Sequence, residues 1–171
     1  MIELQQILKP SMLQKLCLQG KLLKFPEWVP YLNRLSKFVL SGSKLTNEYD
    51  PFNSLKNLPK LVLLCIINEA YVGESLNFED GAFEDLKELV LGSLNGLSSI
   101  TAHSTTLRSL KKLWLRDIPQ LKILPFSIQH LKKLKNLNYQ NMSPEFKMSI
   151  ASYKGQECKP GHQACAPCRN E

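Results

Sequence analysis

Apolar residues recur along the chain in the spacing L-x-x-L-x-L, with Phe, Ile or Tyr replacing Leu at single positions. Successive copies begin 22, 26, 25, 24 and 24 residues apart. The alternation at the end of each copy predicts a short strand whose apolar side chains point to one face. A single unit cannot bury these side chains alone, so the units are expected to stack. The six copies are Leu13/Leu16/Leu18, Leu35/Phe38/Leu40, Leu61/Leu64/Ile66, Leu86/Leu89/Leu91, Leu110/Leu113/Leu115 and Leu134/Leu137/Tyr139.

The length of this repeat predicts an α/β solenoid, a leucine-rich-repeat horseshoe. Its short parallel strands would lie about 4.8 Å apart on the concave face, with loops or short 3-10 or helical turns on the convex face. The alternative is an amphipathic helical protein with chance leucine spacing, because periods of three and four also mark helices. Six copies in register, separated by prolines, disfavour that alternative. The prolines are Pro26, Pro51, Pro59, Pro119 and Pro125.

The chain of 171 residues fits one domain or one continuous array. The predicted organisation is a partial repeat at 1–12, an array of about six repeats at 13–146, and a disordered, cysteine-containing tail at 147–171. The array starts without an obvious polar cap, and an uncapped solenoid exposes the edge of its core. The sequence therefore suggests a fragment, a truncated paralogue or a partial gene model.

The loops after the strands lack the asparagine that regular repeats carry three residues beyond the last strand leucine. No asparagine ladder can form, so these loops are expected to satisfy their backbone groups individually. The residues at that position are Lys21, Ser43, Glu69, Leu94 and Ile118.

Four segments carry a resemblance to a known family: LLKFPEWVPYL, LTNEYDPFNSLKNLPKL, EAYVGESLNFEDGAFEDLKEL and LKILPFSIQHLKKLKNLNYQNMSPEF. They resemble the carboxy-terminal repeats of plant intracellular disease-resistance proteins of the coiled-coil, nucleotide-binding, leucine-rich-repeat class. The segment from Met142 to Phe146 is similar to the M-P-x-E-F that often ends those arrays. The resemblance implies a protein of pathogen defence whose repeats sense effectors and hold a nucleotide-binding module inactive.

The chain also departs from that class. It contains no P-loop sequence G-x-x-x-x-G-K-[ST], so nucleotide binding is not expected, and no cofactor is predicted. The amino-terminal coiled coil is absent as well.

One column of strand residues predicts a binding surface. The residue between the last two leucine-type positions is apolar in five of the six copies, and adjacent strands would align these residues as an exposed stripe on the concave sheet. Trp114 between Lys112 and Arg116 is the predicted anchor, because Trp and Arg dominate interface hot spots. Other parts of the chain could instead cover the stripe, or a register shift of one residue could bury it. The stripe is Cys17, Val39, Cys65, Val90, Trp114 and Asn138, and the predicted contact residues are Lys37, Val39, Cys65, Val90, Lys112, Trp114 and Arg116.

The net charge of +7 raises the question of nucleic acid. Lysines between leucines usually form a solvated face, and the functional alternative is an acidic protein partner. No aromatic stacking platform or recognition helix accompanies the charge, so nucleic acid is disfavoured. The basic residues gather at Arg108, Lys111, Lys112 and Arg116, and again at Lys122, Lys132, Lys133 and Lys135.

The tail contains a weak metal-site pattern. Cys158, His162, Cys165 and Cys168 could supply four tetrahedral zinc ligands, because a C-x-x-C spacing lets two thiolates reach one metal. A single knuckle without a partner pair is weak evidence for a metal site, and a disordered terminus is the preferred interpretation.

Catalysis and membrane insertion are not expected. His103, His130 and His162 lie far apart, and neither H-E-x-x-H nor G-x-S-x-G occurs. The longest apolar run, Leu61 to Ile67, is far shorter than a membrane span. Five cysteines, an odd number, favour a reduced, cytoplasmic protein over a secreted disulfide scaffold.

These observations predict a recognition module of plant defence that binds a pathogen effector, a guarded host protein or a nucleotide-binding module. A freestanding intracellular repeat scaffold in signalling is the main alternative. A zinc-stabilised or nucleic-acid-binding adaptor is a third.

Overall fold

The computed structural model describes residues 12–22, 24–49, 52–124, 128, 130–151 and 158–160. Within these ranges, short parallel strands form a seven-stranded sheet and two further strands form a separate pair. The fold is therefore a solenoid of parallel strands with few helices. The sheet consists, in spatial order, of β1 (Lys15–Gln19), β2 (Lys37–Ser41), β3 (Leu63–Ile67), β5 (Glu88–Gly92), β7 (Lys112–Arg116), β8 (Asn136–Gln140) and β9 (Cys158–Pro160), and the pair consists of β4 (Ser75–Phe78) and β6 (Ser99–Ala102).

The six strands that the repeat pattern predicts are confirmed, and their register is the predicted one. Each leucine position pairs with the same position of the next repeat, as in Leu89 with Leu113. Both leucine columns lie in the main core or pack against it. The columns are Leu16–Phe38–Leu64–Leu89–Leu113–Leu137 and Leu18–Leu40–Ile66–Leu91–Leu115–Tyr139.

The pair β4–β6 lies on the return path from one long strand to the next, where loops or turns were predicted. Leu76 and Phe78 of β4 are buried in the main core, whereas Asn77 between them is exposed. This alternation is the ordinary sign of a half-buried strand. A 3-10 helix spans Val29–Tyr31, where Val29 is buried. A second 3-10 helix spans Asn47–Tyr49.

The residue that follows each of the six predicted strands has a positive φ, between 50° and 100°. This left-handed conformation turns the chain sharply away from the sheet, and Gly, Asn and Asp adopt it at the lowest cost. These small residues therefore end the strands at equivalent places in every repeat. They are Gly20, Gly42, Asn68, Ser93, Asp117 and Asn141.

Backbone hydrogen bonds join the loops of neighbouring repeats. The N–H of Asn68 donates to the carbonyl of Gly92 at 3.0 Å, and the N–H of Asp117 donates to the carbonyl of Gln140 at 3.1 Å. The expectation that each loop satisfies its backbone groups individually was therefore wrong for these groups. The left-handed turn directs these N–H groups toward the adjacent repeat. Hydrogen bonds between repeats thus take the place of an asparagine ladder.

A short helix, α1 (Pro144–Ala151), follows the last predicted repeat strand and extends past residue 146, the predicted end of the array. The Ser143 hydroxyl accepts a hydrogen bond from the N–H of Phe146 at 3.2 Å, which is N-cap geometry. Phe146 is fully buried, and its ring packs edge-on against Tyr139 with centroids 6.1 Å apart. The helix thus covers the core beside β8. Beyond it, β9 pairs in parallel with β8, while residues 152–157 and 161–171 of the predicted tail lie outside the described residues.

Candidate partner-binding face

The predicted stripe exists as one column on the face of the sheet that points away from the main core, which we call the stripe face. Cys17 pairs with Val39, Val39 with Cys65, and Cys65 with Val90. Val90 pairs with Trp114, and Trp114 pairs with Asn138. The register excludes the one-residue shift that was the alternative for this surface.

The stripe is less exposed than predicted. Val39, Cys65 and Val90 are 6%, 0% and 3% exposed and form a second buried cluster, so the prediction of exposure was wrong for these three. The side chains of Leu63 and Ile67 on β3 and of Trp114 pack against this cluster. Because these residues lie on adjacent strands, only one strand spacing apart, their side chains shield one another from water.

A signal for this burial was present in the sequence. Strand β3 reads LLCII, without a polar position. In a parallel sheet, an uninterrupted apolar strand indicates burial on both faces, whereas alternation indicates burial on one.

Strand β7 presents an accessible part of the stripe face. Lys112, Trp114 and Arg116 occupy alternate positions of this strand and therefore share one face. The side chains of Lys112 and Arg116 are 53% and 44% exposed, and Trp114 is half-buried. The indole nitrogen of Trp114 is itself buried and has no hydrogen-bond partner in the described part of the chain. The structure thus brings the predicted anchor and its two cations together.

Charged neighbours flank both cations. The ammonium of Lys112 lies 3.9 Å from the Glu88 carboxylate on β5, and Arg116 Nε lies 2.8 Å from the carboxylate of Asp117. Lys37 is exposed at the same strand position as Lys112, three strands away, or roughly 14 Å at the usual spacing. The structure therefore places Lys37 on the same face but apart from the group around Trp114.

The cysteines differ from the expected reduced state in one case. Cys17, at one end of the stripe, is half-buried and takes part in a disulfide bond. His162, Cys165 and Cys168 of the weak metal pattern lie outside the described residues, and of Cys158 only the strand pairing is described. Searched over its described residues, the chain shows no group of three His, Cys, Asp or Glu that could hold a metal ion. None of its described helices has both the length and the apolar character needed to cross a membrane.

Comparison with known proteins gives a relative. No known protein-family profile matches the chain. Disease resistance protein RPM1 of Arabidopsis thaliana is 31% identical to it over 142 residues, which make up 83% of this chain. The chain spans only 15% of the length of RPM1. Together with the parallel-strand repeats, this similarity shows that the chain is related to the leucine-rich-repeat region of plant disease resistance proteins.

Proposed function

We propose that this chain is a protein-recognition module of the plant defence response. The observation that carries the proposal is its similarity to a disease resistance protein over 83% of its length. Repeat solenoids present extended surfaces that bind other proteins, and they do so without catalytic groups or cofactors. We therefore assign the chain a binding role in the cytoplasm and not an enzymatic one.

The partner would contact the stripe face around Trp114. We take the solenoid to curve as a leucine-rich-repeat horseshoe, with this face on its concave side. Trp114 is a rigid aromatic group flanked by the exposed cations Lys112 and Arg116, and aromatic and arginine side chains supply most of the free energy at protein interfaces. The buried residues Val39, Cys65 and Val90 lie beside Trp114 in the same column and would support its packing instead of touching the partner.

Two kinds of partner fit a fragment or truncated form of a resistance protein. The chain would either sense a pathogen effector or guarded host protein, or make an autoinhibitory contact with a nucleotide-binding module. The autoinhibitory contact gives the more direct test, because the partner can be supplied as a defined protein.

The test is co-expression in leaves of the tagged chain with a plant nucleotide-binding module whose own repeats have been deleted. We expect the two to co-precipitate, and Trp114→Ala to weaken the association by about tenfold or more, as loss of a hot-spot residue does. Tyr31→Ala is the matched control, because Tyr31 is 70% exposed and lies far from β7 in sequence. Circular dichroism should show both variants folded.

Two outcomes would contradict the proposal. Equal association of the Trp114→Ala and Tyr31→Ala variants would exclude the stripe face as the contact. Silencing the gene without any change in pathogen resistance would exclude the defence role, and loss of a different signalling response would favour the freestanding scaffold.

A further inference from the structure

The positive charge of the chain is concentrated in two adjacent repeats. Residues 108–135 contain eight lysines and arginines and one acidic residue, Asp117, which gives a net charge of +7. The whole chain also has a net charge of +7, so the remaining residues are neutral in sum. The charge is therefore a local property of the repeats that end in β7 and β8.

Five of these cations lie at the edge of the sheet where β7 and β8 begin, and we call this group the basic edge. Lys111 directly precedes β7, and Lys135 directly precedes β8. The N–H of Lys135 donates to the carbonyl of Lys111, and the N–H of Lys111 donates to the carbonyl of Lys87, both at 2.9 Å. These bonds fix three lysines in a column at one strand spacing, about 4.8 Å. The basic edge consists of Arg108, Lys111, Lys132, Lys133 and Lys135, all of them exposed.

Within the described part of the chain, no acidic side chain pairs with this edge. Among the described residues, acidic partners pair with Lys112, Arg116 and Lys122, at Glu88, Asp117 and Glu145 respectively. None of the five residues of the basic edge forms an ion pair within the described part of the chain. Like charges on neighbouring strands destabilise a sheet. The neighbouring cations of the basic edge therefore repel one another, and no described carboxylate offsets this repulsion.

The preceding repeat shows that the sign of the charge at these positions is not dictated by the fold. Glu84, Arg108 and Lys132 occupy equivalent positions in successive repeats, 24 residues apart. Glu84 is exposed, as are its basic counterparts Arg108 and Lys132. Either sign is therefore compatible with the packing, and the uniform sign over two repeats needs another explanation.

We propose that the basic edge binds an acidic segment of a partner protein. Strand spacing makes the column Lys87–Lys111–Lys135 roughly 10 Å long, which a few residues of an extended peptide would span. Four of the five cations here are lysines, whose flexible ammonium groups can pair with the carboxylates of an acidic segment. Tyr31 is the large aromatic side chain that stands exposed among the described residues, and it precedes β2, three strands from β7, so the described part of this edge offers no exposed ring on which a base could stack.

This site rests on the proposed protein-recognition function but is separate from the contact around Trp114. Lys111 and Lys135 lie outside the strands, and the stripe face is formed by strand residues. A partner that reaches both would use the stripe face for its apolar contact and the basic edge for charge.

The experiment measures binding of a fluorescein-labelled peptide that alternates glutamate and glycine to the purified chain, by fluorescence anisotropy. A peptide with glutamine in place of glutamate and a short DNA duplex serve as comparison probes. The test variant is Lys111→Glu with Lys135→Glu. The matched control is Lys21→Glu with Lys147→Glu, which changes the net charge equally at exposed positions elsewhere.

We expect the test variant to bind the acidic peptide roughly tenfold more weakly and the control to change by no more than about threefold, because close charge pairs act locally while distant ones are screened. The thermal midpoint of the test variant should change little, because the repulsion between Lys87 and position 111 becomes attraction while positions 111 and 135 still repel each other, now as two carboxylates. Equal losses of affinity in the test and control variants would show that binding depends only on the net charge of the chain, and would overturn the proposal. Tighter binding of DNA than of the acidic peptide would overturn it in favour of nucleic acid. Either result would leave the Trp114 test of the proposed function unaffected.

Discussion

The side-chain amide of Asn141 donates a hydrogen bond to the carboxylate of Asp117, 2.8 Å away and 24 residues earlier in the chain. Both residues follow a strand and both have positive φ, 50° and 51°. The bond therefore joins equivalent positions of successive repeats. Asn68 makes a related contact, from its amide to the Ser41 hydroxyl at 3.0 Å. The stacking of repeats thus depends on strand-end residues as well as on leucines.

Ser93 tests the backbone requirement at these strand ends, since it adopts φ of 52° without the help of Gly or Asn. We expect Ser93→Val to lower the free energy of unfolding by about 1–2 kcal/mol, because a branched side chain clashes in the left-handed conformation. Ser93→Gly should be neutral or slightly stabilising. Urea unfolding measures both. Ser99→Val in β6 is the control, and an equal loss there would show that the cost is not conformational.

Packing within the leucine columns should contribute to the stability of the stacked repeats. Leu89 and Leu113 face each other on β5 and β7 and are 2% and 5% exposed. Replacing either with alanine should cost about 2–5 kcal/mol, because each substitution leaves a cavity between two repeats. Chemical denaturation would measure the loss, with Ile123→Ala at a 69% exposed position as the control. A loss below about 1 kcal/mol at both leucines would contradict this packing.

Tyr71 joins two loops through its hydroxyl. This side chain is 1% exposed, and its hydroxyl bonds to the Asn47 side chain and to the carbonyl of Ser75. Tyr71→Phe should destabilise the chain by about 1 kcal/mol, because the hydrogen bonds of the hydroxyl are lost while the ring stays packed. Thermal unfolding provides the measurement. Tyr31→Phe is the exposed control, and equal midpoints for the two variants would show that the hydroxyl contributes nothing.

The cap of helix α1 predicts a pH effect. A hydrogen bond from its own backbone N–H, then the Ser143 hydroxyl, then the positive charge of Lys122 lower the pKa of Glu145 below its ordinary value. Because the folded pKa is depressed, the contribution of Glu145 to stability is present above the ordinary pKa and is lost as the pH falls through the folded value.

Ser143→Ala should therefore raise the pKa of Glu145 toward its ordinary value and, through loss of the N-cap, destabilise the chain by about 1 kcal/mol. NMR titration of the Glu145 carboxyl carbon follows the pKa, and denaturation follows the stability. An unchanged pKa in the variant would show that the Ser143 hydroxyl does not act on this carboxylate.

The sequence by itself determined the repeat, the six strands and their register. Each depends on local alternation, as in Leu113 and Leu115 around Trp114, repeated at a nearly constant interval. Stacking then admits one alignment, because any other would expose a leucine column to water. The strand-end positions were also readable in principle, from the series Gly20, Gly42, Asn68, Ser93, Asp117 and Asn141.

Only the tertiary structure decided how much of each surface water can reach. Val39, Cys65 and Val90 look exposed in a pattern that assigns one face of each strand to solvent, yet side chains from adjacent repeats bury them. Burial of this kind depends on the volumes of neighbours more than twenty residues away, such as Leu63 and Trp114. The same holds for the basic edge, where the backbone bonds between Lys87, Lys111 and Lys135 bring charges from three repeats into one column.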